Sequence, residues 1–260
     1  MELIKSVAIL FFLTVALGTG LFSFLVNSKM TGAGFVRLIT GICAGSLSLA
    51  VILFLSAGVS KMIIFVSILN LLIMILIYKY HQDEKSILMW CLWGLQNILL
   101  IFVSFEYLEI LSQTGNFYFS FFFVMSSALF FGIVNYAMVL GHYYLVVPKL
   151  SEKPLINSMQ LTWAVLLIKL IFSTISTLKS ADFFAEETTL GAGYMFNWIM
   201  LIMRYLWGYV AVGVLSYFAW RLSKIRSTQS ATGVMYVMVF FMIVGEIISL
   251  YLYRQYGLYI

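Results

Sequence analysis

The sequence is poor in charge. Asp, Glu, Lys and Arg make up 10% of its 260 residues, against about 25% in an ordinary soluble domain. That leaves too few charged side chains to coat a water-soluble globule or to keep a chain of this length disordered. Cysteine is equally scarce: Cys43 and Cys91 are the only two, and each sits inside an apolar run. A disulfide scaffold and a cysteine-based metal site are thereby excluded, and both read as free packing thiols. The two prolines, Pro148 and Pro154, share one loop, so the paired broken helices of an inverted-repeat transporter are not expected and the helices read as unbroken. No nucleophile elbow, P-loop, HExxH or CxxC pattern occurs, so the chain carries no cofactor or catalytic signature of its own.

What fills the space is apolar. Hydrophobic types reach 63% and mean hydropathy is +1.05. A helix needs about 20 apolar residues to cross a bilayer, and runs bounded by charge, Gly or Pro give eight candidates. They are Val7 to Val26, Phe35 to Ala57, Met62 to Tyr80, Ile87 to Phe105, Phe117 to Val146, Met159 to Leu178, Tyr194 to Trp220 and Ala231 to Tyr253. Long continuous runs exclude a β-barrel, whose strands are short and alternating. The fifth and seventh are longer than a span requires, which implies tilt or a projecting end. The expected fold is all-α, a polytopic membrane helix bundle with about eight transmembrane helices forming a single domain over residues 1–260. No convincing repeat relates the first four spans to the last four.

The basic residues state an orientation. Lys29, Arg37, Lys79, Lys85, Lys149, Lys153, Arg221, Lys224 and Arg226 follow spans one, three, five and seven, while Lys5, Lys61, Lys179 and Arg254 lie on the opposite side. The richer side is expected in the cytoplasm, which places both termini on the outer side of a plasma (inner) membrane. The net charge of +5 is then a topology signal. The lipid bilayer is the expected partner and nucleic acid is not. The first run has an alternative reading as a cleaved signal peptide, because Lys5 precedes it and Ala16 and Gly18 resemble a small-residue cleavage site.

Three charges fall deep inside spans: Lys169, Arg204 and Glu246. At 1.5 Å per residue, Lys169 lies about 15 Å from Lys179, Arg204 about 16 Å from Gly193 and Glu246 about 12 Å from Arg254, all measured from the same side. They therefore share a level, on three consecutive and neighbouring spans. Faces agree. Thr162, Lys169, Ser173 and Ser176 form one stripe, Thr232, Tyr236, Glu246, Ser249 and Tyr253 another, and Arg204 shares its face with Gly208, Ala211 and Leu215. A buried charge inside a membrane needs a partner, so a Lys169, Arg204 and Glu246 cluster of formal charge +1 is expected. Its plainer reading is a salt bridge that fixes helix register. Its functional reading is a site for an anion, a carboxylate or a quinone oxygen, with Glu246 and Tyr236 relaying protons. Trp207, one turn from Arg204, is a candidate wall of that site or a packing residue.

A second polar stripe runs along the fifth span through Ser120, Ser127, Asn135 and His142. His142 and His81 are the only histidines. His81 falls beyond the end of its span beside Gln82, Asp83 and Glu84, so a bis-histidine haem is not expected. His142 is kept as a boundary-site candidate. Asn70, Gln96 and Asn97 are expected to hydrogen-bond between helices, and Gly41 and Gly45 form a GxxxG that permits close helix packing. Glu106 and Glu109 share a face at a helix end and read as solvated.

The leading functional expectation is an integral membrane subunit holding a quinone or similar amphiphile and working with a partner redox subunit, or as a homo-oligomer. The rivals are a proton-coupled transporter or permease for a small anion, and a non-catalytic structural or assembly protein.

Overall fold

Runs this apolar and this long favour helices, which bond their backbone internally and so need no water to satisfy their peptide groups. The computed structural model describes residues 2–25, 33–80, 87–111, 117–147 and 150–260, and these contain helices and connecting turns with no strand. The helices are α1 (Glu2–Leu21), α2 (Ala33–Ala57), α3 (Lys61–Tyr80), α4 (Ile87–Leu111), α5 (Phe117–Val146), α6 (Lys153–Lys179), α7 (Tyr194–Lys224) and α8 (Thr228–Tyr256). All eight are long and apolar enough to cross a membrane.

Several helices outrun their apolar runs. The sixth starts at Lys153 rather than Met159, with Pro154 in its first turn, where the missing N–H costs nothing and φ is already helical. The eighth continues to Tyr256 and stops at Gly257, whose φ of 71° is left-handed, as helix C-termini favour. Lys29, Lys85, Lys149, His81, Gln82, Asp83, Glu84, Pro148 and Val26 lie outside the described residues.

The centre of the bundle is the pair α1 and α5. Helices α2, α3 and α4 pack on one side of that pair, and α6, α7 and α8 on the other. The first helix packs into the core: Ile9, Leu10, Leu13 and Leu17 are fully buried. Its contact with α5 depends on two glycines. A Cβ on Gly18 would collide with the carbonyl of Ala128, and one on Gly132 with the carbonyl of Gly18, so the two backbones touch. The GxxxG of α2 does not do this. Gly41 and Gly45 are exposed and meet nothing within 4 Å, because α2 turns its other face, with Ile39, Cys43, Leu47 and Phe54, to the core. Large apolar side chains such as Phe65, Ile98, Phe122 and Ile168 cover the exterior, a surface that water would reject and a bilayer accepts. At the end carrying both termini, Lys5 Nζ donates to the Ser56 carbonyl (3.0 Å) and Arg254 Nε to Ser6 Oγ (3.1 Å).

Candidate functional site

Helices α5, α6, α7 and α8 enclose a polar centre in the half of the bundle opposite α2, α3 and α4. Lys169 on α6, Arg204 on α7 and Glu246 on α8 meet there, with side-chain exposures of 1%, 0% and 0%. Glu246 serves both cations. Its Oε1 accepts from Arg204 Nη2 at 2.7 Å and its Oε2 lies 3.1 Å from Lys169 Nζ. A planar guanidinium against a carboxylate is the strong form of such a contact, and a carboxylate and ammonium that deep would each be costly alone.

The triad extends at both ends. Lys169 Nζ donates to Ser127 Oγ on α5 and sits 4.8 Å from the centre of the Phe123 ring. Arg204 Nη2 donates to the Tyr209 hydroxyl (2.6 Å) and the guanidinium carbon lies 4.2 Å from the centre of that ring. The Tyr209 hydroxyl is in turn bonded to Ser173 on α6. One connected series, Ser127, Lys169, Glu246, Arg204, Tyr209 and Ser173, thus ties four helices together. Arg204 keeps two N–H groups, Nε and Nη1, without a partner.

Tyr209 was not legible as a member. Five residues beyond Arg204, it would point well away from it on an ideal α-helix, where neighbours on one face are three or four apart. Helix α7 runs unbroken from Tyr194 to Lys224, but its pitch changes: residues Leu206–Ala211 form a π-helical segment. Bonding from i to i+5 brings position 209 under position 204. The same stretch holds Gly208. A Cβ there would stand 2.5 Å from Arg204 Nη1, and a Cβ on Gly245 of α8 would collide with Gly208 itself. The small residue on the Arg204 face admits a neighbouring helix.

Other expected members lie elsewhere. Tyr236 is exposed and shares its hydroxyl with His142 Nδ1 at 2.8 Å. Ten residues separate it from Glu246, which rotates it off the buried face by roughly 80° at 3.6 residues per turn. It cannot relay protons directly to the triad. Trp207 packs edge-on against Phe241, with centroids 5.4 Å apart, and the aromatic partner of Arg204 is Tyr209 instead. His142 is exposed beside Tyr236, and the second histidine of a paired haem site, His81, lies outside the described residues. Among the described residues, no three His, Cys, Asp or Glu side chains group as a metal site would require. The stripe on α5 divides: Ser127 joins the triad, while Ser120 pairs with Tyr259 at 3.3 Å.

Near the terminal end, an apolar crevice of about 480 Å³ opens between α1, α7 and α8, lined by residues including Phe11, Phe12, Met200, Ile247, Ile248 and Tyr251. Lys169, Arg204 and Glu246 do not line it, and at 3.6 residues per turn Ile247, Ile248 and Tyr251 stand roughly 100–200° round α8 from Glu246. Comparison with family models, with curated proteins and with solved structures gives no match.

Proposed function

We propose that this is a plasma (inner) membrane protein, with both termini outward, that receives the electronegative oxygen of an amphiphile at the Lys169, Glu246 and Arg204 triad. Quinones are the class favoured. The observation that carries this reading is the surplus cation: two buried positive groups share one carboxylate, and Arg204 retains unbonded Nε and Nη1 donors. Such donors in a low-dielectric interior stabilise a developing negative oxygen more strongly than they would in water. A separate apolar crevice between α1, α7 and α8 has the size and lining for an isoprenoid or similar tail. Glu246 is the proton carrier, and Tyr209 takes the place expected of Tyr236. With no redox motif in the chain, electrons come from a partner subunit.

The test is extraction of lipids from protein purified out of its native membrane. A quinone is expected to co-purify in near-stoichiometric amount and to fall severalfold in Lys169→Met, with Lys169→Arg retaining it. Absence of quinone from the wild type, or equal content in Lys169→Met, overturns the reading.

A transporter for a small anion is the second reading, favoured by the π segment of α7 beside the Gly208 and Gly245 crossing, where a helix can shift register. It demands pH-dependent anion uptake into liposomes that is lost when Glu246 is neutralised. If Lys169→Met changes only thermal stability and no uptake is seen, the triad is a structural staple and the protein a structural or assembly factor.

A further inference from the structure

A polar lane leads from the triad to the end of the bundle at which α8 stops. On α5, Ser120 and Phe123 share a face with Ser127, and on α8 Ser249 and Tyr253 share one with Glu246, because residues three, four or seven apart line up on a helix. Ser120 stands about 10 Å along the axis from Ser127. All six side chains are buried. The chain that follows α8 folds over them.

Gly257 makes that turn, with a φ of 71° and nothing within 4 Å of where a Cβ would stand. Its N–H is bonded to the Tyr253 carbonyl (2.9 Å) and that of Leu258 to the Leu252 carbonyl (3.3 Å). The Tyr259 hydroxyl pairs with Ser120 Oγ, and its ring packs on those of Phe123 and Tyr253, with centroids 6.0 and 5.6 Å apart. Ser249 Oγ donates to the Ile260 carbonyl. Leu258 and Ile260, 6% and 0% exposed, join an apolar cluster with Phe183 and Phe184 of the connection between α6 and α7. Phe123, against which Tyr259 packs, is the ring that lies 4.8 Å from Lys169 Nζ. One aromatic layer thus separates this segment from the triad. So short a segment opens at a free energy set by its own few contacts rather than by those of the eight helices.

We propose that Gly257–Ile260 is a plug that closes this end of the polar centre, and that its release opens Lys169 and Glu246 to solutes from that side. The proposal takes the triad as a site to be reached, as above, but its test reads access to a thiol with no quinone or transported anion present, so the two readings fail separately. The full chain carrying Cys91→Ala and Ser127→Cys, which puts a thiol beside Lys169, is treated in detergent with a negatively charged methanethiosulfonate. Cys43, buried on α2 in the other half of the bundle, stays in place as the control for general loosening. Labelling at position 127 is expected to be slow with the segment intact and about tenfold faster in Tyr259→Ala, the scale of losing one packed aromatic ring. Tyr259→Phe, which keeps the ring, stays slow. Gly257→Val acts from outside the bundle by straining the turn, and is expected to speed labelling without removing any buried atom. Position 127 reacting equally fast with the segment intact overturns the plug, and so does an unchanged slow rate in both Tyr259→Ala and Gly257→Val. An equal rise at Cys43 overturns it as well, because the segment then steadies the whole bundle instead of closing one entrance.

Discussion

Glu246 is the residue on which the buried charges balance, because both Lys169 and Arg204 lean on its one carboxylate. Removing it leaves two cations facing each other without water. Glu246→Gln is therefore expected to cost about 3–5 kcal/mol, read by chemical or thermal unfolding in detergent. Lys169→Met has a smaller cost, since the Arg204 and Glu246 pair survives it as a neutral unit. If the two substitutions destabilise equally, Glu246 is not the shared counter-ion. Tyr209→Phe keeps the ring beside the guanidinium and removes only the hydroxyl that joins Arg204 to Ser173. A loss of about 1–2 kcal/mol is expected by the same measurement.

At the scale of elements, helix contacts here are set by glycines whose partners are remote in sequence. Gly18 on α1 meets Gly132 on α5, and Gly208 on α7 meets Gly245 on α8. The GxxxG of Gly41 and Gly45 would permit close packing, yet these two face outward with open space. Gly132→Val should abolish folded protein, because its new atoms would occupy the position of Gly18's backbone. Gly41→Ala and Gly45→Ala should leave yield and melting temperature unchanged or slightly raised, as Ala in a helix is favoured over Gly. Size-exclusion profiles and melting curves of the three variants decide this, and a collapse of Gly41→Ala would assign that face a packing partner. The π segment of α7 belongs to the same scale: one extra residue in its turn changes which side chains share a face, and so brings Tyr209 to Arg204.

The whole molecule is two three-helix groups on either side of α1 and α5, with the charged triad on the side of α6, α7 and α8. Its proposed orientation follows from lysine and arginine counts and is tested by accessibility. Single cysteines replacing Glu187, in the turn before α7, and Arg226, in the turn after it, both occupy exposed positions. With Cys43 and Cys91 replaced by Ala, a membrane-impermeant maleimide applied to intact cells should label Glu187→Cys and spare Arg226→Cys. The reverse pattern inverts the side assigned to every helix end.

Much of this protein was determined by its sequence alone. Scarcity of charge and continuous apolar runs require helices long enough for a bilayer, since no other backbone arrangement in long runs satisfies its own hydrogen bonds there. The depth of Lys169, Arg204 and Glu246 follows from rise per residue, and their meeting from the cost of leaving any of them unpaired. Tertiary structure decided the rest. Which glycines touch depends on helix faces brought together across more than a hundred residues for Gly18 and Gly132. Tyr209 replaces Tyr236 beside the triad because a local change of helical pitch overrides the 3.6-residue period.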